Sequence, residues 1–204
     1  MANNLNWSEH IEKLEDDLSF RLYTLRKLEQ VLPKSLLKKV ADGIFNSIIR
    51  YGLGIFCPIR THASDPNPSS INGIRVRFND LLRLLCNTRR SKHTSIESML
   101  KQLGWLSINQ LACEVRLVEV WKALNEQDYC QKELFERVQP GKVKTRSAQQ
   151  IRLKTNFRSR LRENSFQFPS VQLWNNAPPE VTEAITESKA RTAIGEHVKK
   201  TIPI

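Results

Sequence analysis

The chain has 204 residues, with 32 Lys and Arg against 21 Asp and Glu, and a formal net charge of +11. Hydrophobic residues make up 40% of it, which is ordinary for a soluble domain with a sizeable core. It has no run of 18 apolar residues, no apolar stretch in its first ten residues and no CxxC pair among its four cysteines. We therefore expect no membrane partner, no zinc ribbon and a location in the nucleus or cytoplasm rather than secretion. The positive charge favours polyanionic partners, nucleic acid first.

The opening residues predict a long amphipathic helix. Leucine and isoleucine recur every seven residues at Ile11, Leu18 and Leu25, with further leucines between them. Acidic side chains come first and basic ones last, which complements the helix dipole. Ser8 is the predicted N-cap, and Pro33 stops the helix.

A second helix is predicted over residues 34–51, ended by Gly52 and packed against the first across a short joint. Its apolar residues follow helical spacing. The expected buried face consists of Leu36, Leu37, Val40, Ile44, Ile48 and Ile49.

The middle of the chain predicts a loop and three more helices. Residues 57–70 contain three prolines and several turn formers, so they are predicted to form a loop. A third helix is predicted over residues 72–86. Two capping boxes, Thr94 to Glu97 and Ser107 to Gln110, each open a further helix. No alternating strand pattern appears, so residues 1–139 are predicted to be a helical bundle.

The pair Pro140-Gly141 marks a change in composition. Residues 140–166 are predicted to be a basic, partly irregular linker or binding segment, and residues 167–204 a short aromatic and helical C-terminal region. The fold class is therefore mainly α. No acidic residue interrupts the basic run, whose predicted nucleic-acid-binding cations are Lys142, Lys144, Arg146, Arg152, Lys154, Arg158, Arg160 and Arg162. Phe157 lies among them and could stack on an unpaired base. The alternative is a solvated basic linker.

Two further groups of cations are candidates for phosphate contacts. One surrounds the joint between the first two helices, where Arg26 and Lys27 are predicted nucleic-acid-binding residues together with Arg21, Lys34, Lys38 and Lys39. The other is more diffuse and comprises Arg75, Arg77, Arg83, Arg89, Arg90 and Lys92.

The sequence offers no catalytic constellation. Asp16 and Asp17 are the only adjacent acidic pair, but successive helical residues lie about 100° apart, so the two carboxylates do not converge on one metal ion. The four histidines are scattered, and no glycine-rich phosphate loop is present. We expect no catalytic residue, metal ligand or cofactor in this segment.

The tryptophans and two of the cysteines are predicted to be packing residues. Cys86 and Cys113 lie among apolar helical residues and are expected to be buried thiols. The expected core anchors are Trp7, Trp105, Trp121 and Trp174.

Five phrases occur in a fixed order along the chain. They are LNWSEHI at 5–11, RLYTLRKLEQVLP at 21–33, ADGIFNSIIRYGL at 41–53, GWLSINQLACEVRLVEVWKALN at 104–125 and SFQFPSVQLWNNAPPEV at 165–181. Together they resemble the region downstream of the catalytic palm in reverse transcriptases of non-LTR, jockey- or RTE-like retrotransposons. The aromatic-x-Asp-Asp motif of that palm is absent.

The resemblance implies a thumb, a helical bundle that lies against the template–primer duplex. The implied partners are an RNA/DNA template–primer and the palm of the parent polymerase, which would hold the Mg²⁺ ions. Such a segment would not be an enzyme on its own, and a truncated element copy, a gene-model fragment or a domesticated remnant would explain it. The alternative is a stand-alone helical protein-interaction module or a domesticated nucleic-acid-binding module.

Overall fold

The computed structural model describes residues 7–57, 69–88, 95–126, 128–130, 132–138, 150–153 and 166–204, and these are mainly α-helical, as predicted. They divide into two compact units. Unit 1 takes in the described residues up to 108 and Ile204, and unit 2 those from 109 to 203. This division differs from the predicted boundaries after residues 139 and 166, because the helix that begins at Ile108 shares a core with the C-terminal elements.

The described residues of unit 1 form helices joined by short turns, with no strand among them. Its elements are α1 (Ser8–Leu28), α2 (Lys34–Ala41), a π-helical turn (Asp42–Asn46), α3 (Ser47–Phe56), a 3-10 turn (Ser69–Ile71), α4 (Asn72–Cys86) and α5 (Ile96–Leu103). The predicted loop at 57–70 lies mostly outside the described residues.

Helix α1 confirms the predicted apolar stripe. The helix packs chiefly against α4. Its five buried side chains are Ile11, Leu14, Leu18, Leu22 and Leu25. The prediction that Ser8 caps the helix is wrong, because Ser8 is its first helical residue and Trp7 holds the cap position without a side-chain bond. Trp7 is also 37% exposed rather than a core anchor, and its ring lies nearly perpendicular to that of His10, with the ring centres 6.0 Å apart.

The second predicted helix is present, but its buried face differs from the prediction. A π-helical turn at Asp42–Asn46 holds more residues than an α-helical turn, so it shifts the residues that face the core. The buried positions therefore recur at every fourth residue, at Leu37, Ala41, Phe45, Ile49 and Leu53. Of the six predicted residues only Leu37 and Ile49 are buried, and Leu36 is 44% exposed. Gly52 was predicted to end the helix, but it only kinks it, with φ of 78°, and α3 continues to Phe56.

Helices α4 and α5 follow the sequence closely. The predicted bounds of α4 are confirmed, and Asn87 ends it in the left-handed conformation with φ of 52°. Helix α5 is capped by Ser95, whose hydroxyl accepts a hydrogen bond from the Ser98 amide, one residue after the predicted cap Thr94. Thr94 itself lies outside the described residues. Gly104 ends α5 with φ of 69°.

A close approach joins α1 to the first turn of α4. A Cβ built on Gly73 would stand 2.0 Å from the carboxyl carbon of Glu15. The Glu15 carboxylate therefore lies where a negative charge favours the N-terminus of α4, which has no acidic residue of its own in its first turn. Arg77 Nε donates to Ser19 Oγ over 2.7 Å and adds a second polar link between the two helices.

Unit 2 combines helices with a small sheet. Its elements are α6 (Ile108–Asn125, whose first residue groups with unit 1), a 3-10 turn (Lys132–Leu134), β1 (Phe135–Arg137), β2 (Ile151–Leu153), α7 (Gln167–Asn175), α8 (Pro179–Thr182) and α9 (Glu187–Thr201). The helical character predicted for residues 167–204 is confirmed, and the last helix, α9, has Thr186 as its cap and Ala190, Ile194 and Val198 buried.

The two-stranded sheet corrects two predictions. Residues 1–139 were expected to be all-α, but β1 lies within them, and β2 lies inside the predicted basic linker. The strands pair antiparallel, with Glu136 opposite Arg152. Strands of three residues are too short to show an alternating pattern, so the periodicity of the apolar residues does not predict them.

Unit 2 has its own core, in which two of the predicted anchors, Trp121 and Trp174, lie. Trp105 lies in unit 1 instead, where it is half-buried and stacks on the Phe78 ring. Trp174 is 1% exposed and Trp121 5% exposed, and Cys113 is buried beside them. Trp121 Nε1 also donates to the Ala184 carbonyl over 2.9 Å. In unit 1, by contrast, Cys86 is only half-buried.

Candidate nucleic-acid interface

Most of the predicted basic run lies outside the described residues. This applies to seven of its eight cations, Lys142, Lys144, Arg146, Lys154, Arg158, Arg160 and Arg162. Phe157 and the second-patch cations Arg89, Arg90 and Lys92 lie outside as well. Their role in binding stays a prediction. Arg152, Arg26 and Lys27 can be placed.

Arg152 takes part in a cross-strand ion pair. Its Nε lies 3.3 Å from Glu136 Oε2, and its Nη2 lies 3.2 Å from Glu136 Oε1. The two residues face each other in the antiparallel ladder, and the arginine side chain is 66% exposed. Because Glu136 already neutralises this guanidinium, a phosphate would have to compete with a carboxylate for it.

Arg26 and Lys27 lie next to the connection between α1 and α2, and α2 itself carries three lysines. Arg26 and Lys27 occupy the last turn of α1, and α2 begins six residues after Leu28 at Lys34. The connection is tight, since the Leu32 amide donates to the Leu28 carbonyl over 2.8 Å. We name this group of cations the basic corner; its members are Arg26, Lys27, Lys34, Lys38 and Lys39.

The side chains of the basic corner are accessible and carry unneutralised charge. Arg26, Lys27, Lys34 and Lys39 are exposed, and Lys38 is half-buried. Within the part of the chain that the structure describes, no carboxylate forms an ion pair with any of the five. Such cations can neutralise phosphates and release their counterions.

The backbone adds to the positive potential of this corner. Helix α2 starts after Pro33 with no side-chain cap and no acidic residue in its first turn. The unpaired amides and the dipole of a helix N-terminus attract anions, phosphate included. Lys34, at the first position of α2, lies close enough to Cys86 that its ammonium partly offsets the rise that burial causes in the pKa of that thiol.

Other cations of unit 1 serve the fold instead. Arg21 Nη1 donates to the Ile44 carbonyl in the π-helical turn over 2.9 Å. Arg77 bonds to Ser19, and Arg83 Nη1 lies 2.7 Å from Asp80 Oδ1. Of the predicted stripe around the first two helices, Arg21 is thus a structural residue, whereas the rest forms the basic corner.

The exposed side of α1 also carries acidic and aromatic side chains. Asp16 and Asp17 are exposed and lie in the half of the helix away from the basic corner. Phe20 and Tyr23 are 72% and 58% exposed, and the Lys27 ammonium lies 5.6 Å from the Tyr23 ring centre. The exposure of Phe20 and Tyr23 was not predicted, although both residues lie outside the apolar stripe that repeats every seven residues.

The described residues show no metal centre and no membrane span. No group of three or more His, Cys, Asp or Glu in them could hold a metal ion, and Asp16 and Asp17 do not fit the paired carboxylates of a polymerase. None of the helices found in the described ranges is both long and apolar enough to cross a bilayer. Comparison with protein-family models, with curated proteins and with solved structures finds no match to this chain.

Proposed function

We propose that this chain binds nucleic-acid duplex, preferentially an RNA–DNA hybrid or primer–template, in the manner of a thumb segment of a non-LTR retrotransposon reverse transcriptase. The observation that carries the proposal is the basic corner, where five cations and an uncapped helix N-terminus flank one tight helix connection and no carboxylate of the described residues forms an ion pair with them. The resemblance of the five ordered phrases supplies the identity of the duplex.

The proposed mechanism is electrostatic positioning. The cations at the end of α1 and the start of α2 contact phosphates of the duplex, and the amides at the start of α2 add hydrogen-bond donors. Such contacts hold the backbone in register without reading base sequence. Residues 142–162 would extend this hold, and polymerisation would depend on a palm and its Mg²⁺ ions in a parent enzyme.

The test is a binding measurement with charge-reversed variants. Fluorescence anisotropy with a labelled RNA–DNA hybrid compares the wild type with the double variant Arg26→Glu/Lys27→Glu. Each lost phosphate contact removes about one unit of salt slope, and we expect a loss of affinity of at least about tenfold at low salt. A second variant, Arg158→Glu/Arg160→Glu/Arg162→Glu, tests the basic run in the same assay.

The control is the double variant Lys199→Glu/Lys200→Glu. These two lysines are exposed neighbours in the last turn of α9, as Arg26 and Lys27 are in the last turn of α1, so net charge and helix-dipole effects are matched. We expect the control to retain most of the affinity. Equal losses in both variants, or equal affinity for the hybrid and a single strand, would contradict the proposal.

A further inference from the structure

The outward face of α1 carries an exposed aromatic pair that none of the described elements covers. Asp16, Phe20, Tyr23 and Lys27 follow one another at spacings of four, three and four residues, so they form one line along the helix. The line lies opposite the stripe that α1 buries in unit 1. Its centre is apolar, because Phe20 is 72% exposed and Tyr23 58% exposed.

The two ends of this line carry opposite charges. Asp16 precedes the aromatic pair and Lys27 follows it, and both are exposed. Beyond them the contrast continues, with Glu9 and Glu12 towards the start of the helix and Arg26 near its end. A surface of this kind complements a copy of itself that runs in the opposite direction.

We propose that α1 pairs antiparallel with α1 of a second copy of this chain. A two-fold axis midway between Phe20 and Tyr23 places Phe20 of each copy against Tyr23 of the other. Because Asp16 lies four residues before Phe20 and Lys27 four residues after Tyr23, the same axis places Asp16 of each copy against Lys27 of the other. This single register buries Phe20 and Tyr23 of both copies. It also forms the Asp16–Lys27 ion pair twice, once on each side of the two-fold axis.

Charge favours this occupant over a nucleic acid. A base stacked on Phe20 would bring its phosphates towards Asp16 and Asp17, which repel them. A second helix meets the acidic end with its own basic end instead. The interface consists of one helical face, which is small among protein–protein interfaces, so the dimer is expected to be weak and concentration-dependent.

This inference does not rest on the proposed duplex binding, although the two meet at Lys27. A dimer would pair Lys27 with Asp16 of the other copy and leave Lys34 and Lys39 of the basic corner accessible. The dimer is tested without nucleic acid, so its failure and the failure of duplex binding are separate results.

The experiment is sedimentation velocity of the full chain over roughly two orders of magnitude in concentration. The wild type should shift from monomer to dimer as its concentration rises. The double variant Phe20→Ser/Tyr23→Ser should weaken the dimer by at least about tenfold, because it removes the apolar centre. The control Tyr51→Ser removes an aromatic side chain that is 81% exposed on α3 and should change nothing.

A charge swap tests the register. Asp16→Lys should weaken the dimer by about tenfold. The substitution is present in both copies, so both Asp16–Lys27 pairs change from attractive to repulsive. Adding Lys27→Asp should restore the dimer to within about threefold of the wild type. Helix content by circular dichroism checks that each variant is folded.

Several outcomes would overturn the proposal. A chain that stays monomeric at all concentrations has no such interface, and a dimer that Phe20→Ser/Tyr23→Ser leaves intact uses another surface. A swap that fails to restore the dimer contradicts the antiparallel register. If the chain is monomeric and the aromatic variant instead weakens hybrid binding, the face is a nucleic-acid surface.

Discussion

Helices whose apolar residues repeat along their length form the core of unit 1, whereas in unit 2 side chains that bond to distant backbone groups add the sheet and the last residues to an apolar core. In α1 every third or fourth residue is buried, and α4 covers the resulting stripe. In unit 2 the last residues of the chain are held to the first turn of α6, where Gln110 Nε2 donates to the Ile202 carbonyl over 3.0 Å. The difference teaches that the helices of unit 1 follow from apolar periodicity, whereas unit 2 combines its apolar core with polar contacts that join its sheet and its last residues to distant helices.

Asn175 is the clearest example of such a contact. Its Oδ1 accepts from the Ile151 amide over 2.9 Å, and its Nδ2 donates to the Ile151 carbonyl over 3.1 Å. One side-chain amide thereby satisfies both backbone groups of a β2 residue, as a neighbouring strand would. It attaches the sheet to the end of α7.

The largest effect is expected from breaking the stripe of unit 1. Leu18 is fully buried, so Leu18→Ala should lower the free energy of unfolding by about 2–5 kcal/mol through lost burial and a cavity. Urea unfolding measures the loss, and hydrogen exchange should rise most in α1 and α4. The control Leu36→Ala removes the same atoms at a position that is 44% exposed and should cost much less. Similar losses for both would contradict the assignment of the stripe.

A smaller effect is expected from breaking the polar contact of unit 2. Asn175→Ala leaves the Ile151 amide and carbonyl without these partners and should cost about 1–3 kcal/mol. Urea unfolding measures it, with the exposed neighbour change Asn176→Ala as the control. If the two variants are equally stable, the contact does not hold the sheet.

The smallest effect concerns a charge in unit 2. Burial raises the pKa of Glu119, against the opposing influence of Lys122 and Arg191. The folded state therefore binds this proton more tightly than the unfolded state, and stability falls as the pH rises from the ordinary pKa of a glutamate through the raised pKa. Glu119→Gln should thus raise the melting temperature slightly at neutral pH, by an amount that shrinks towards acidic pH.

Thermal unfolding across this pH range measures the difference between Glu119→Gln and the wild type. The matched change is Glu133→Gln at an exposed position of the same unit. A Glu119→Gln variant that is less stable than the wild type at neutral pH would show that attraction to Lys122 and Arg191 outweighs burial.

The same contrast explains how far the sequence predicted the structure. The stripe of α1 and the bounds of α4 were predicted because each rests on local periodicity and helix-ending residues. The π-helical turn carries no such signal, so the buried face of the second helix was misplaced. The sheet was missed because its strands have only three residues each and its contacts, including that of Asn175 with Ile151, join residues far apart in the sequence.

The candidate site was predicted in part. Arg26 and Lys27 were identified from charge alone. Pro33 predicted the short connection after which α2 supplies the three lysines of the basic corner. Charge alone could not distinguish Arg21 from the accessible cations near it. Arg21 donates to the Ile44 carbonyl, and this contact joins residues 23 positions apart in the sequence. Arg152 was counted as available, and its partner Glu136 follows only from strand pairing.

The measurement that tests the central claim most directly is the salt dependence of binding to an RNA–DNA hybrid, for the wild type and for Arg26→Glu/Lys27→Glu. The wild type should lose affinity with a slope of about −0.9 in log–log form for each phosphate neutralised, and the variant's slope should be shallower by about two units. A wild-type binding constant that is flat between low and moderate salt, or a slope that the variant leaves unchanged, would contradict the account.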